Sequence, residues 1–397
     1  MKVVFEKKKL SEILDLKYGK GLSKSKRING PFPVYGSAGV IDSHNSSIVK
    51  GPGIVVGRKG SIGTVYFEKR DFFPIDTVYY VKVFNSKEID LKFLYYLLKQ
   101  SNLKNLNSDS AVPGLNRNDA LRQEFKIPKF DLQKKIAFVL SNYDDLIKKN
   151  LKTIKLLDEC ASDIYKEWFI NFRFSGYKKV ILRNTDIGKI PDDWEVKSIN
   201  KIVNIKSGFS FKSENYTKNG KYGLVTIKNV KDGGFNNKIK DFIDEIPANM
   251  PRYCYINSGD ILLSLTGNVG RICLACNGNY LLNQRVAKIK PLEPIDKAFI
   301  YFFFRQNTLR KKMELMSTGT AQQNLSPIKL GKLNLLIPSE KIRKSFAEIN
   351  NPILAQINIL NNQVEKLNET KNLLLSNLIF SNFDISKIDI KTLDKAL

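Results

Sequence analysis

Few residues of this 397-residue chain have the types and spacing that catalysis or metal binding requires. His44 is the only histidine and lies in the polar segment IDSHNSS, which predicts a solvated surface side chain rather than a catalytic site. Cys273 and Cys276 form a C-x-x-C pair, but a zinc ribbon needs a second pair. We therefore interpret the cysteines as structural thiols and expect no catalytic residue and no metal site.

Two glycine-rich segments remain as candidates for ligand contacts. GRKGSIG (57–63) lacks the residue order of a phosphate-binding Walker loop, because Lys59 precedes Gly60 and a strand-like run follows. SLTGNVG (264–270) is its counterpart later in the chain. We interpret both as tight turns between strands, whose backbone N–H groups and side chains could contact phosphates. PDDWEVK (191–197) contains the residue types of a nuclease core, but their spacing is too short.

The net charge indicates the class of ligand. The chain has 65 Lys and Arg against 39 Asp and Glu, a formal charge of +26, and a pI near 9.7. Residues 1–130 carry roughly +11 and residues 186–338 roughly +10, so the charge is not confined to a tail. Such a field favours nucleic acid over other polyanions. The start of the chain, MKVVFEKKKL, has no apolar run typical of a signal peptide, and four unevenly spaced cysteines predict a cytoplasmic protein.

The chain also contains an internal repeat. Residues 89–104 (IDLKFLYYLLKQSNLK) match residues 295–310 (IDKAFIYFFFRQNTLR) at an offset of about 206 residues. Two further pairs of segments align: 5–19 with 194–208, and 51–65 with 258–272. A period near 200 residues is too long for a solenoid unit. It predicts a duplicated domain pair, and two similar basic domains suggest two similar tasks on one ligand.

The offset between the two copies changes along the chain. It is about 189 at the start of the repeat and about 210 at Pro128 over Pro338. The copies therefore differ mainly between residues 20–50 and residues 209–257, where the second copy is longer. A shared scaffold with one divergent segment is typical of two binding modules that read different targets. Loop drift after duplication would leave the same pattern.

Four segments alternate in character. Residues 1–130 and 193–338 contain short β-branched and aromatic runs bounded by turn residues, which predict strands. Residues 131–170 and 340–380 carry apolar residues at four- and three-residue spacing, which predicts two long helices with heptad seams. Residues 172–192 contain Gly and Pro and are predicted to be a linker. The predicted strands are 53–57, 63–67, 76–84, 224–230, 260–265, 270–276 and 285–291, and residues 92–100 are predicted to form a buried helix.

The two heptad seams are predicted to pair with each other. Asn150 and Lys371 are their polar exceptions, and Pro352 is predicted to lie in or just before the first turn of the second helix. An antiparallel pair would place the two basic domains at opposite ends of a rod, whereas the alternative is that each helix only caps its own domain. The seam positions are Leu140, Tyr143, Ile147, Ile154, Leu157, Ile164, Ile353, Ile357, Leu360, Val364, Leu367 and Leu374.

Two basic domains, each followed by a long heptad helix, resemble the specificity subunit of type I restriction-modification enzymes. IGKIPDDWEV (187–196) is similar to the start of a target recognition domain in that family. STGTAQQNLSPIKLGKLNLLIPS (317–339) is similar to the segment that leads into the second helix, and residues 108–137 are its less similar counterpart. No single motif is specific, so the ordered combination over residues 5–380 carries the resemblance.

The resemblance implies a mixed α+β fold. Two target recognition domains, each a mixed β-sheet with helices, would be joined by two long helices that form an antiparallel coiled coil with pseudo-two-fold symmetry. The helices would act as a spacer and as a docking surface. The expected organisation is a first recognition domain at 1–130, a heptad helix at 131–172, a linker at 173–192, a second recognition domain at 193–338, a second heptad helix at 339–380 and a tail at 381–397.

The resemblance also implies partners and chemistry. Each domain would read one half of a split double-stranded DNA site, and the helices would dock two methyltransferase subunits, joined by motor-nuclease subunits. S-adenosylmethionine, ATP and Mg²⁺ would be bound by those partner subunits, with no cofactor in this chain, which would be non-catalytic. No membrane partner is expected.

Candidate DNA contacts follow from side-chain chemistry. Lys and Arg neutralise phosphates, Asn and Gln pair with adenine edges, and Arg pairs with guanine. Residues 322–324 could instead cap the junction with the following helix. The candidates are Lys24, Lys26, Arg58, Lys59, Asn116 and Arg117 in the first half, and Lys212, Asn268, Arg271, Gln322, Gln323 and Asn324 in the second.

Two other functions stay open on the sequence. The chain could serve a related type II system whose partner is a fused methylase-nuclease, or it could be a coiled-coil scaffold that binds DNA without sequence preference. A self-sufficient DNA methyltransferase is not supported, because the Asn/Asp-Pro-Pro-Tyr/Phe motif is missing and NNPIL (350–354) has a single proline.

Overall fold

The computed structural model describes residues 5–106, 114–185, 188–317 and 324–379. The chain divides into two units, and we call residues 1–146 with 367–397 the first unit and residues 147–366 the second unit. The boundaries fall inside the two long helices. Each long helix therefore contributes residues to both units.

The first unit is built from short strands and helices that precede the first long helix. Its strands are β1 (Phe5–Lys9), β2 (Leu14–Tyr18), β3 (Phe32–Gly36), β4 (Gly39–His44), β5 (Gly53–Gly57), β6 (Val65–Glu68), β7 (Phe73–Pro74), β8 (Val78–Val83) and β9 (Glu124–Pro128). Its helices are α1 (Leu10–Ile13), α2 (Leu91–Gln100), α3 (Arg117–Leu121) and the start of α4 (Phe130–Phe169). The strands at 53–57 and 78–83 and the buried helix α2 agree with the sequence predictions, since Phe93 and Leu97 are 1% exposed.

Three sheets organise these strands. An antiparallel sheet has the order β2-β8-β5-β6, and a smaller sheet has the order β4-β3-β7, in which β3 and β7 are parallel. β1 pairs with β9 in a separate antiparallel ribbon. The buried face of the larger sheet packs with α2 and with the ends of the long helices in one apolar core.

The second unit repeats this construction with different lengths. Its strands are β10 (Leu182–Thr185), β11 (Gly188–Pro191), β12 (Glu195–Ser198), β13 (Val203–Ser207), β14 (Tyr222–Val225), β15 (Val230–Lys231), β16 (Gly234–Phe235), β17 (Phe242–Ile243), β18 (Tyr255–Ile256), β19 (Ile261–Ser264), β20 (Ile272–Leu274), β21 (Tyr280–Leu282), β22 (Val286–Pro291) and β23 (Asn334–Ile337). Its helices are α5 (Lys297–Phe304), α6 (Asn307–Met316), α7 (Pro327–Gly331) and most of α8 (Glu340–Ile379).

The main sheets of the two units share their strand order, although the second unit has additional strands, namely β18 beside β21 and the hairpins of β10 with β11 and of β15 with β16. The order β13-β22-β19-β20 matches β2-β8-β5-β6, and the parallel pair β14 and β21 matches β3 and β7. The ribbon of β12 with β23 matches that of β1 with β9. The predicted pair of similar domains with mixed sheets, followed by long helices, is confirmed.

The units differ most at one connection between neighbouring strands. In the first unit, β3 returns as β4 after residues 37–38, whereas residues 226–241 separate β14 from β17 and form the hairpin of β15 and β16. The backbone N–H of Gly233 in this hairpin donates to the carbonyl oxygen of Ile272, at 2.8 Å. The preceding 3-10 turns, Lys24–Lys26 and Ser213–Asn215, keep the offset of 189. Within residues 20–50 and 209–257, where divergence is predicted, the main difference is therefore the connection at 37–38 and at 226–241.

In the first unit, the two long helices contact each other through a half-buried polar pair. The Lys371 ammonium donates to the Asp144 carboxylate at 2.8 Å, and the Tyr96 hydroxyl donates to the same carboxylate at 2.6 Å. Burial acts to raise the pKa of Asp144, but these two hydrogen bonds, together with the positive charges of Lys371 and Lys99, hold the pKa below its usual value. The interruption of the heptad pattern at Lys371 therefore has a partner on the facing helix.

In the second unit, the contacts show the direction of the helix pair. Asn150 donates to Gln363 at 3.4 Å, and the rings of Tyr165 and Phe346 are 6.1 Å apart. The partner number on α8 falls as the number on α4 rises, so the helices are antiparallel here. Among the predicted seam positions, Leu140, Ile147, Ile357, Leu360 and Val364 are buried, and Tyr143, Ile154, Leu157, Ile164, Ile353, Leu367 and Leu374 are half-buried.

Two local predictions differ from the structure. Pro352 was expected in or just before the first turn of the second helix. This prediction is wrong, because α8 begins at Glu340 and Pro352 lies inside it. Residues 173–192, predicted as a linker, instead contain the hairpin of β10 and β11. Phe174 is 4% exposed and stacks on Trp194 with ring centroids 5.5 Å apart. Burial of this ring orders a segment whose Gly and Pro content alone indicated a flexible connection.

The seam of the second unit gives a matched test. Ile357 is 2% exposed, whereas Ile359 on the same helix is 49% exposed. We expect Ile357→Asp to lower the free energy of unfolding by more than about 3 kcal/mol, because it buries an unpaired charge. Ile359→Asp should change it by less than about 0.5 kcal/mol. Urea unfolding followed by tryptophan fluorescence measures both, since Trp168 and Trp194 lie in this unit. Equal stability of the two variants would contradict the buried seam.

Candidate nucleic-acid interface

The same glycine turn follows β5 in the first unit and β19 in the second unit. Gly60 and Gly63 have φ of +74° and +64°, and Gly267 and Gly270 have φ of +70° and +81°. The turns close through equivalent bonds, from the Gly63 N–H to the Gly57 oxygen at 2.9 Å and from the Gly270 N–H to the Ser264 oxygen at 3.0 Å. Both are tight turns between strands, as the sequence predicts, and their left-handed positions favour glycine.

Each turn is fastened to the chain segment that leads towards the long helix. The Leu115 N–H donates to the Arg58 oxygen at 2.8 Å, and the Leu325 N–H donates to the Leu265 oxygen at 2.9 Å. Isolated β-bridges between Lys59 and Gly114 and between Thr266 and Asn324 extend the contact. We call residues 57–63 with 114–117, and residues 264–270 with 324–327, the turn–exit frame of each unit. The structure thus brings together two groups of candidates that are far apart in sequence.

In the first frame, the candidates differ in how free their side chains are. Lys59 is exposed, and the Arg58 guanidinium donates to the backbone carbonyl oxygen of Asp76 at 2.9 Å. Asn116 caps α3, because its side-chain oxygen accepts from the N–H of Asn118 at 2.8 Å. Arg117 donates to the Leu16 oxygen at 2.9 Å and pairs with Asp15. Asn116 and Arg117 therefore hold α3 in place, and Arg58 and Lys59 are the more available cations.

In the second frame, the exposed polar groups are amides. Asn268 and Asn324 are exposed, and Arg271 is half-buried. The Ser264 hydroxyl accepts from the backbone N–H of Arg271 at 3.0 Å and donates to the backbone carbonyl oxygen of Asn268. These two hydrogen bonds stiffen the turn from inside. Gln322 and Gln323 lie outside the described residues.

Three predicted lysines lie on a different repeated feature. Lys24 and Lys26 are exposed on the first 3-10 turn, and exposed Lys212 precedes the second, where its ammonium lies 3.5 Å from Glu214. These turns begin the divergent segments and are not part of the turn–exit frames. Whether any of the candidates binds DNA stays a prediction.

The divergent segments border the glycine turns in both units. The Thr64 hydroxyl donates to the Ser37 oxygen at 2.7 Å. A side chain added at Gly267 would lie 3.1 Å from Ile227. Ser37 and Ile227 belong to the connections that follow β3 and β14, where the two units differ most. These contacts could not be predicted from the sequence, because they join residues that are far apart in the chain and share no local pattern.

The structure also adds an exposed aromatic residue that the sequence did not single out. Tyr18 is 55% exposed at the end of β2, beside Arg58. Strand alternation from buried Leu14 and Leu16 places Tyr18 on the inward face, so the pattern predicts burial. Tyr18 is instead exposed as the last residue of β2, which is an edge strand of its sheet.

The prediction for His44 is wrong. His44 is 8% exposed, and its Nδ1 accepts from the Ile28 N–H at 3.1 Å while its ring packs on Phe73 with centroids 5.6 Å apart. It is thus a buried structural side chain on β4. The polar residues around it in sequence suggested solvent exposure, but strand pairing turns it inward.

The thiols of Cys254, Cys273 and Cys276 are buried, and burial raises the pKa of Cys276 to about 12. Within the described residues, no three His, Cys, Asp or Glu side chains are grouped as a metal site would need. None of the helices in the described part of the chain is both long and apolar enough to cross a membrane.

Comparisons with known proteins agree with this architecture. The family described as the type I restriction modification DNA specificity domain matches residues 2–156 and 191–369. The chain is 28% identical, over 306 residues, to the type I restriction enzyme MjaVIII specificity subunit of Methanocaldococcus jannaschii, covering 73% of this chain and 71% of that protein. It is 22% identical to the EcoKI specificity subunit of Escherichia coli over 189 residues, covering 45% of this chain and 40% of that protein.

A solved structure shows the same fold. The crystal structure of the type I restriction-modification S subunit from M. genitalium matches with a TM-score of 0.67 at 18% identity, covering 97% of this chain and 98% of that one. Two matched regions and two corresponding units lead to one conclusion. The chain belongs to the family of type I restriction-modification DNA specificity proteins and carries two copies of the specificity domain.

Proposed function

We propose that each unit reads one half of a bipartite double-stranded DNA site and that the chain recruits the subunits that modify and cut that DNA. One observation carries the proposal, namely that both units present the same turn–exit frame with the same backbone hydrogen bonds but different side chains. A fixed backbone with changed side chains is what two readers of different sequences require.

The side-chain differences fall on equivalent positions of the frame. Arg58 and Lys59 in the first unit correspond to Leu265 and Thr266 in the second. Phosphate contacts fix register and orientation, whereas base-edge contacts supply sequence preference. Two frames with unlike side chains would therefore prefer unlike half-sites while approaching the DNA backbone in the same way.

The long helices are proposed to dock two methyltransferase subunits, joined by motor-nuclease subunits. Large apolar side chains are exposed on both helices: Leu151, Leu156, Ile359 and Leu373 are 50%, 55%, 49% and 68% exposed. In this proposal these side chains are among the residues that the partner subunits would cover. In this proposal the chain itself is non-catalytic, acts in the cytoplasm, and leaves S-adenosylmethionine, ATP and Mg²⁺ to its partners.

Two alternatives are distinguishable. In a type II system, a single fused methylase-nuclease would co-purify with the chain in place of separate subunits. A scaffold without sequence preference would bind all duplexes equally.

Selection from random duplexes tests the central claim. The full-length chain, alone or with its methyltransferase subunits, is incubated with a library of random double-stranded DNA at rising salt concentration. We expect one bipartite sequence with a fixed spacer to survive, because counterion release weakens non-specific binding steeply with salt. Recovery of unselected sequences at every salt concentration would favour the scaffold.

The division of labour can be tested by exchange. Replacing residues 209–257 with the corresponding segment of another family member should change the second half-site and leave the first unchanged, because the segment belongs to one unit. The reciprocal exchange of residues 20–50 is the control and should change only the first half-site. Sequencing of the selected duplexes measures both outcomes. If either exchange altered both half-sites, independent reading by two units would be ruled out.

The spacer can be tested by lengthening the helix pair. Asn150 contacts Gln363, so seven residues inserted after Lys152 must be matched by seven inserted after Asn361 to keep the seam in register. Each insertion adds about 10 Å at ~1.5 Å per residue, or about three base pairs at ~3.4 Å each. We expect the same half-sites with a wider spacer in the selected duplexes.

Matched insertions of three or four residues provide the control for the spacer experiment. They rotate the seam out of its apolar register and should impair folding. An unchanged spacer in a stable heptad-insertion variant would show that the helices do not set the distance.

A further inference from the structure

The Arg58 side chain is held against an aromatic pair at the edge of the first turn–exit frame. Its guanidinium carbon lies 4.9 Å from the ring centroid of Tyr18 and 5.9 Å from that of Tyr79. One terminal nitrogen donates to the backbone carbonyl oxygen of Asp76 at 2.9 Å. A stacked guanidinium with an anchored nitrogen has lost much of the rotational freedom of a free arginine.

The backbone around Arg58 is fixed on both sides. Its N–H donates to the Thr77 oxygen at 2.9 Å, and its own oxygen accepts from the Leu115 N–H at 2.8 Å. The aromatic support is fixed as well, because the Tyr79 hydroxyl donates to the Leu115 oxygen at 3.0 Å. The rings of Tyr18 and Tyr79 meet edge to face with centroids 5.0 Å apart. The strand β2, the turn and the exit segment thus converge on one side chain.

The second unit keeps this backbone and lacks this side chain. Leu265 stands at the position of Arg58, with its N–H donating to the Arg285 oxygen at 3.0 Å and its oxygen accepting from Leu325 at 2.9 Å. Leu265 is 3% exposed. Ser207 stands at the position of Tyr18. If arginine at this position were required for the fold, the second unit would need it too. Arg58 and Tyr18 in the first unit therefore have a role other than stabilising the fold.

We propose that Arg58 reads a guanine in the half-site of the first unit, with Tyr18 as the positioning residue that orients its guanidinium. Arginine contacts guanine through two parallel N–H donors to O6 and N7 in the major groove. A planar group already oriented by stacking and by one hydrogen bond loses less entropy on forming that pair. The inference rests on the proposed function. It assigns a guanine preference to Arg58 in the first unit, whereas Leu265 at the same position gives the second unit no such preference.

Selection from random duplexes by the full-length chain and its Arg58 variants tests the proposal. Arg58→Ala should reduce the preference for one guanine in the first half-site by about 5- to 150-fold, the range given by one bidentate pair. Arg58→Lys should lose the same preference, since it keeps the charge but not the planar pair of donors. The second half-site should stay unchanged in both variants, which also shows that they fold.

Lys59→Ala is the matched control for charge. Lys59 is the next residue, exposed and bridged to Gly114. Its loss should weaken binding to all sequences alike and reduce the salt dependence by about one phosphate contact, with the guanine preference retained.

Two substitutions test the positioning role of Tyr18. Tyr18→Phe keeps the ring under the guanidinium and should keep the guanine preference. Tyr18→Ala removes the ring and should weaken that preference while the salt dependence stays as in the wild type, a combination that a purely structural role would not give.

Several outcomes would overturn the proposal. An Arg58→Ala chain that selects the wild-type first half-site would exclude base reading by Arg58 and leave the proposed function standing. An Arg58→Lys chain with full guanine preference would show that the planar pair of donors is not needed, and would overturn the oriented bidentate contact. A wild-type chain that selects no bipartite sequence would overturn the proposed function, and this inference with it.

Discussion

The structure depends on one constraint, which is that a short apolar helix in each unit must be buried against both long helices. In the first unit, Tyr96 on α2 meets Asp144 on α4, which in turn pairs with Lys371 on α8. In the second unit, Arg305 after α5 donates to Asp158 on α4 at 2.9 Å. The Ala298 N–H at the start of α5 donates to Asn351 on α8 at 3.0 Å. Neither unit's core is complete without residues from both helices, so domain stability and helix pairing are linked.

The two units have the same backbone geometry at equivalent positions but differ in the chemistry of the side chains there. At the start of each long helix, one side chain reaches back to the N-terminal end of the short apolar helix. In the first unit this is the neutral amide of Gln133, which accepts from the Asp90 N–H at 2.9 Å. In the second it is Arg343, which pairs with the Asp296 carboxylate, 2% exposed. The turn–exit frames show the same division, with equivalent backbone bonds around Arg58 and Leu265. A scaffold held by backbone bonds can change side chains at its surface without losing its fold.

Much of the architecture could be predicted, because local sequence patterns indicate the long helices and the duplication. Heptad spacing identified both long helices to within about two residues, and the constant offset identified the duplication. The candidate site was predicted less well. The glycine turns were identified from Gly60, Gly63 and their counterparts, but the availability of each cation was not. Arg117 has the side-chain type of a DNA contact, but it forms an ion pair with Asp15 on β2, which neutralises its charge. That pairing is long-range and leaves no periodic signal.

The repeat, the long helices and the basic charge of both halves could be predicted from the sequence alone, because they follow from composition and periodicity. The order of motifs gave a resemblance to a DNA specificity family, and the family match established the membership. Three features became visible only in the fold: His44 is buried, residues 226–241 carry the main difference between the units, and Tyr18 lies under Arg58. They could not be predicted because the environment of a side chain is set by strands and segments distant in sequence. Local pattern fixes which element forms, but strand pairing and burial decide which side chains remain free to meet a ligand.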